Sequence, residues 1–317
     1  MKRILLGLVT LALVACESSP SSPGSEVEPT LSLENVEEHL SVLAHDSMFG
    51  RASGSDYELM AAEYIRGEFI GYGLAPGIDM YMQTFVGEPG PYTSQNVLAV
   101  IPGEGSLAGE WLVLGAHYDH VGTQAGTGLV MNGADDNASG TALVLELARA
   151  LAEWEAMGGG GPEGRRSIMV HTYGAEEVGL VGSRYFCDNP TVPLGDIVAM
   201  LNFDMVGRFS QNGLILIGYS SSPDWLEILS EVDGELPEFR TSDMGLNRSD
   251  QACFYGNQRP VLFFHTGTHD EYHQPQDDIE LIDFDGMMTI GEMAAGLIVT
   301  LAERSDPPAF SGVLQAE

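Results

Sequence analysis

Apolar positions along this chain follow two rhythms. Between residues 31 and 73, LSLENVEEHLSVLAH and SDYELMAAEYIRGEFIGYG repeat apolar side chains at helical spacing, which predicts two opening helices. Short runs with little polar interruption then take over: MYMQTFV, NVLAVIPG, WLVLGAHYD, SIMVHTYG, DIVAMLNFD, GLILIGYS and RPVLFFHTG. They are rich in β-branched and long apolar residues and bounded by Gly, Pro, Asn or Asp, as strands are. Helical patterns return in TALVLELARALAEWEAM, in PDWLEILSEV and, near the end, in FDGMMTIGEMAAGLIVTLAER. Strands apolar on both faces need cover on both. The alternation therefore predicts one α/β domain over residues 31–305, a largely parallel, mixed sheet flanked by helices on both faces. GGGGPEG at 158–164 reads as a loop, and residues 306–317 as a tail adding little to the core.

The first sixteen residues, MKRILLGLVTLALVAC, have a basic start, an apolar run and a small-residue break, too short for a mature membrane helix. That is the form of a signal peptide. Its end, Leu13-Val14-Ala15-Cys16, resembles the bacterial lipobox, which implies lipidation of Cys16 and export to the cell envelope. Glu17 in place of aspartate after that cysteine leans towards the outer membrane, and residues 17–30 read as a disordered tether. An ordinary secretory signal is the alternative.

Charge narrows the partners. The formal net charge is −33, and the only lysine is Lys2 in the leader. So acidic a surface argues against nucleic acid and against anionic lipid, leaving a lipid anchor as the only membrane contact. It also suggests adaptation to a saline environment. Beyond the lipobox only Cys187 and Cys253 remain; an oxidising compartment permits a disulfide, but their spacing leaves pairing open. No CxxC pair exists, which disfavours a thiolate zinc site.

In open α/β sheets ligands bind beyond the carboxyl ends of strands. Polar residues collect there: His117-Tyr118-Asp119-His120 after WLVLGA, Glu176-Glu177 after SIMVHTYGA, Asp204 after DIVAMLNF, and Glu271-Tyr272-His273 after the last strand. Asp135 and Asp136 sit in a glycine-flanked turn before a helix. Taken singly, each has a structural reading as an N-cap, a solvated turn residue or a hydrogen-bonded pair. Together, two imidazoles and several carboxylates without thiols suit two hard divalent ions about 3.5–4 Å apart. Adjacent glutamates on an extended segment point opposite ways, so one can bind metal while the other meets a water from another side.

GAHYDH, NGADDNASG, GAEEVGL, LNFDMVG and THDEYHQPQDD together resemble, in order and approximate spacing, the family-28 zinc metallopeptidases typified by bacterial leucyl aminopeptidases. The resemblance covers roughly residues 31–305. It implies two zinc ions, with Asp136 bridging, His117 and Asp204 completing one ion, and Glu177 and His273 the other. Glu176 would be the general base, acting on a water that bridges the metals. Asp119 resembles the acid that orients a ligand histidine, Tyr272 a tyrosine that hydrogen-bonds the oxyanion in some members, and Arg248 a residue that helps hold substrate. His39, His45, His120, His171, His265 and His269 fall to structural or supporting roles.

There are departures. Many members read Ser-Asp-His where this chain has Ser249-Asp250-Gln251, and the segment between Arg51 and Ser94 is too short for a protease-associated insert. The expected activity is removal of N-terminal residues from peptides. The rival readings are glutaminyl cyclase chemistry with one zinc, a carboxypeptidase of the glutamate carboxypeptidase type, a dipeptidase, or a noncatalytic binding ectodomain. Side-chain preference and oligomeric state are not legible.

Overall fold

The computed structural model describes residues 28–87 and 91–312. The leader, Cys16 and residues 17–27 of the tether lie outside them, as do residues 313–317.

Strands run in chain order as β1 (Ala75–Pro76), β2 (Met82–Gly87), β3 (Tyr92–Ile101), β4 (Glu104–Gly105), β5 (Trp111–His117), β6 (Gly164–Arg165), β7 (Ser167–Tyr173), β8 (Ile197–Phe203), β9 (Leu214–Ile217), β10 (Phe239–Ser242) and β11 (Val261–His265). The helices are α1 (Leu33–Leu43), α2 (Asp56–Gly71), α3 (Gly140–Ala156), α4 (Val181–Asp188), α5 (Phe209–Asn212), α6 (Trp225–Glu231), α7 (Gln251–Gly256) and α8 (Phe284–Glu303). Side chains cap several helix starts, where backbone N–H groups lack intrahelical partners. Ser32 accepts from Asn35, Ser55 from Glu58 and Asp283 from Gly286.

Nine strands form one sheet in the order β1-β3-β7-β5-β8-β11-β9-β10, with β2 pairing β3; β4 and β6 make a separate two-stranded ribbon. The parallel part is the centre, β7-β5-β8-β11, together with the β9-β10 edge. Antiparallel pairing takes the β1-β2-β3 side and the β11-β9 pair. Hydropathy located the strands of this sheet except β1 and β10 but carries no sign of direction, so the extent of antiparallel pairing was not legible.

Successive side chains on the central strands enter opposite cores. Leu112, Leu114 and Ala116 face a large cluster with residues of α1, α2, α3, α6 and α8, while Val113 joins a smaller one with Phe186 and Phe254. The smaller face is covered by α4 and α7, which the Cys187–Cys253 disulfide joins at a Cα separation of 6.2 Å. Residues after 305 pack more closely than expected. Ala309 N donates to Asp224 Oδ2 at 2.7 Å, and Phe310 meets Tyr255 edge-on at 5.5 Å.

Parallel pairing at the centre places the carboxyl ends of β7, β5, β8 and β11 along one edge. The segments starting at 118, 174, 204 and 266 leave it side by side. The start of α3 is pressed against the same edge: a Cβ on Gly140 would lie 2.1 Å from the Phe203 carbonyl oxygen, so only glycine fits.

Candidate metal centre

Two groups of potential ligands meet beyond this edge. His117, Asp136 and Asp204 form one; His120, Asp136, Glu177 and His273 form the other, and within each group one donor atom per residue lies within 4.8 Å of the rest. Asp136 belongs to both. His117 Nε2 is 3.3 Å from Asp136 Oδ1 and 3.6 Å from Asp204 Oδ1. His273 Nε2 is 2.9 Å from Asp136 Oδ2 and 3.1 Å from Glu177 Oε2. Ligands about 2.0–2.1 Å from a tetrahedral ion stand roughly 3.3 Å apart, close to these spacings. His117 Nε2, His273 Nε2 and Asp136 Oδ2 are buried atoms without a hydrogen-bond partner. Converging buried donors of this kind fit two cations with a shared carboxylate.

The surroundings hold the acids and imidazoles in charged pairs. Burial opposes charge on His117, yet the negative charges of Glu176 and Asp204, with the nearby carboxylates of Asp119 and Asp136, raise its pKa well above the usual value. Burial likewise opposes the Asp136 carboxylate, and the adjacent imidazoles of His117 and His273 keep its pKa well below the usual one. His273 rises to about 10 because Asp136 and Glu177 outweigh burial. Glu176 goes well up, first through burial and then through Asp250, Asp204 and Glu177, against the pull of His117.

Buried carboxylates also shape the loops by accepting backbone N–H groups. Asp277 takes the amides of Asp135, at 3.1 Å to each of its oxygens, and of Asp136, at 3.0 Å, and meets Arg208 Nη2 at 3.2 Å. Asp119 takes the amides of Glu176 at 3.0 Å and Glu177 at 3.3 Å. Its carboxylate stands 3.7 Å from His117 Nδ1, whereas its backbone carbonyl lies at 3.2 Å. Asp119 therefore orients His117 through its main chain and uses its side chain on the two glutamates. Non-glycine residues with left-handed backbone occur at Ala175, Leu180, Met205 and His273, a concentration of strain around one site.

His120, assigned a supporting role, has Nδ1 2.9 Å from Glu177 Oε1 and so fixes that carboxylate. His265 and His269 also support: their Nδ1 and Nε2 atoms reach the Asp204 carbonyl at 2.8 Å and Asp135 Oδ2 at 3.1 Å. Tyr272 lies on the rim, part exposed, with its ring stacked on His273 at 3.9 Å. Arg248 is exposed in the turn before α7, away from any ion pair among the described residues. Gln251, standing where many members have histidine, is buried and links Asn202 to the carbonyls of Gly245 and Leu246.

Sequence reasoning missed Arg51, Glu58 and Asp277. The Arg51 guanidinium is fully buried and donates to the carbonyls of Leu43, Tyr118, Asn132 and Gly133, tying down both ends of the 118–133 loop. A lone arginine after a glycine carries no local signal of this. Asp277 stands in an acidic turn that reads as solvated.

The fold and the site thus define a mixed α/β protein with two acid and imidazole clusters sharing one carboxylate. The model for peptidase family M28 matches residues 96–298, and the chain belongs to that family. It is 31% identical over 230 residues to leucine aminopeptidase 1 of Ajellomyces dermatitidis (strain ER-3 / ATCC MYA-2586), covering 67% of this chain and 57% of that protein. The leucine aminopeptidase 1 of Paracoccidioides brasiliensis (strain Pb18) is 28% identical over 289 residues, covering 86% and 72%. This chain therefore spans little more than half of the first of these relatives. A solved zinc aminopeptidase from Bacillus subtilis superposes with a TM-score of 0.69 at 15% identity, covering 88% of this chain and 97% of that one. That likeness establishes the shared fold.

Proposed function

We propose that the chain is a two-zinc aminopeptidase that hydrolyses N-terminal residues from peptides, with Glu176 as general base. One observation carries this reading. Glu176 stands in neither ligand cluster, yet it interacts electrostatically with His117, Asp204 and Glu177 around them. The likeness to the two leucine aminopeptidases and to the Bacillus subtilis zinc aminopeptidase supports the same activity.

His117 and Asp204 would hold one zinc ion, Glu177 and His273 the other, and Asp136 both. What bound zinc supplies is polarisation of the scissile carbonyl and a more acidic water. The rest falls to the chain. Glu176 takes a proton from the attacking water and returns it to the leaving amine, a role suited to a carboxylate whose pKa burial has raised. Asp119 holds the amides of Glu176 and Glu177, which sets the base and a ligand in one frame. The Tyr272 hydroxyl, at the rim, hydrogen-bonds the developing oxyanion. The surplus of carboxylates attracts the cationic N-terminus of a peptide. Lipidation at Cys16 would tether the enzyme to the cell envelope; an unmodified Cys16 in mass spectra would remove that part of the proposal.

Glu176→Gln tests the core of it. Activity on amino-acid p-nitroanilides should fall by about 10²–10⁴-fold while zinc content per chain stays unchanged. Substantial residual turnover would take Glu176 out of the base role.

A further inference from the structure

The geometry points to Glu58 as a positioning residue for Glu176: a buried carboxylate, outside the segment that the family model matches, that fixes the backbone from which the base projects. This deepens the proposed function and rests on Glu176 being the base.

Glu58 stands three residues after the N-cap Ser55 of α2. In such a Ser-x-x-Glu pattern the glutamate ordinarily turns back to the amide of the capping residue. Here it turns into the protein and is 1% exposed. Its Oε2 accepts from Gly54 N at 2.6 Å. Its Oε1 accepts from Ser94 Oγ at 2.7 Å and from Ala175 N at 3.1 Å. Ala175 immediately precedes Glu176 and has left-handed backbone, with φ of 56°.

The next two amides, of Glu176 and Glu177, end on Asp119, whose Oδ2 is in turn held by Ser53 Oγ at 2.6 Å. Three consecutive amides of the base loop are therefore captured by two buried carboxylates, and the segment 53–58 reaches both. The fit is close on every side. A Cβ on Gly174 would lie 2.5 Å from Ser94 Oγ and 2.7 Å from Glu58 Oε1. With three successive peptide units pinned, Glu176 has little freedom beyond its own side-chain torsions.

Glutamine cannot do the same work. Glu58 presents acceptors to Gly54 on one oxygen and to Ala175 on the other, whereas glutamine has one acceptor and one donor. One of the two amides would then face an N–H group. The test compares Glu58→Gln, Glu176→Gln and the double variant, purified with zinc, for kcat, KM and zinc per chain on an amino-acid p-nitroanilide. The expected result for Glu58→Gln is a kcat lower by about 10- to 100-fold at unchanged KM and zinc content. The double variant should lose nothing beyond Glu176→Gln alone.

If Glu58→Gln keeps wild-type kcat while Glu176→Gln is inactive, the positioning role fails and the base assignment stands. Wild-type turnover in Glu176→Gln overturns both. A role confined to stability would lower the melting temperature and leave kcat per folded site unmoved, and that also overturns the inference. Should Glu58→Gln fail to fold, Glu58→Asp decides: it keeps the charge and both acceptor oxygens but is one methylene shorter, so it cannot hold the amides of Gly54 and Ala175 together. A fall in kcat at constant KM supports the positioning role, and wild-type kcat refutes it.

Discussion

Two buried polar clusters in this chain use the same kinds of side chain and end in opposite states. Between α1, α2 and α3, His39 meets Tyr64 Oη at 2.7 Å through Nδ1 and Tyr72 Oη at 2.8 Å through Nε2. Nearby, buried Glu146 accepts from Ser32 N, Asn35 Nδ2 and two nitrogens of Arg149, so both its oxygens are used. At the carboxyl edge of the sheet, His117 Nε2, His273 Nε2 and Asp136 Oδ2 have no hydrogen-bond partner and converge. The difference teaches what marks a site. A buried histidine or glutamate is unremarkable while its polar atoms are matched one to one; a surplus of unmatched acceptors facing one space calls for cations.

Asp136 is where that contrast breaks most sharply. It belongs to both ligand groups, so on the proposed two-zinc reading Asp136→Ala should remove both ions and reduce turnover to the uncatalysed rate. Zinc analysis of the dialysed variant checks this; retention of a full complement would show that the surplus is not what binds metal. Asp277→Asn is the next largest change. It keeps the shape of the side chain but leaves one acceptor for the amides of Asp135 and Asp136 and weakens the pairing with Arg208. Loss of such supporting contacts typically lowers metal affinity by about 10- to 100-fold, measurable by competition with a zinc chelator.

The two clusters were unequally legible in sequence. The strands of the parallel centre declare themselves because each is apolar on both faces, and the residues that follow them declare the site by position. Asp204 and the paired Glu176 and Glu177 were visible on that ground. The contacts that hold the site were not, because they join residues far apart in the chain. Asp119 reaches amides 57 and 58 residues away, and Asp277 reaches amides 141 and 142 residues away. Glu58 was hidden differently, by sitting in a pattern whose local explanation, helix capping, is complete without the base loop. Helices α4 and α7 were missed since they are short, at 8 and 6 residues, and bury few apolar side chains to announce them.

The saturated cluster makes its own prediction about pH. Burial lowers the His39 pKa from 6.5 to about 4, with Glu146 opposing and Arg149 assisting. The unfolded chain therefore binds a proton that the folded one refuses. Stability from neutral His39 is complete above the unfolded pKa and is lost as pH falls from there through the folded value. Between about pH 7 and about pH 5 this costs about 2 kcal/mol, read by chemical denaturation at each pH. His39→Gln should flatten that part of the profile and leave zinc content as it is. A slope identical to the parent would mean that His39 titrates normally in the folded state.

Arg248 tests the same contrast at its weakest point, since it belongs to neither cluster. The family resemblance gives it a hand in holding substrate, but its guanidinium is exposed and has no ion-pair partner among the described residues. An unpaired surface cation near a peptide's carbonyls or carboxylate gains little, because water and salt screen it. Arg248→Ala should therefore raise KM by no more than about threefold and leave kcat alone, with the effect vanishing at high salt. A larger, salt-resistant rise in KM would show that substrate draws Arg248 out of solvent into the site. The 243–250 turn would then count as a moving part of the site, unlike the pinned base loop.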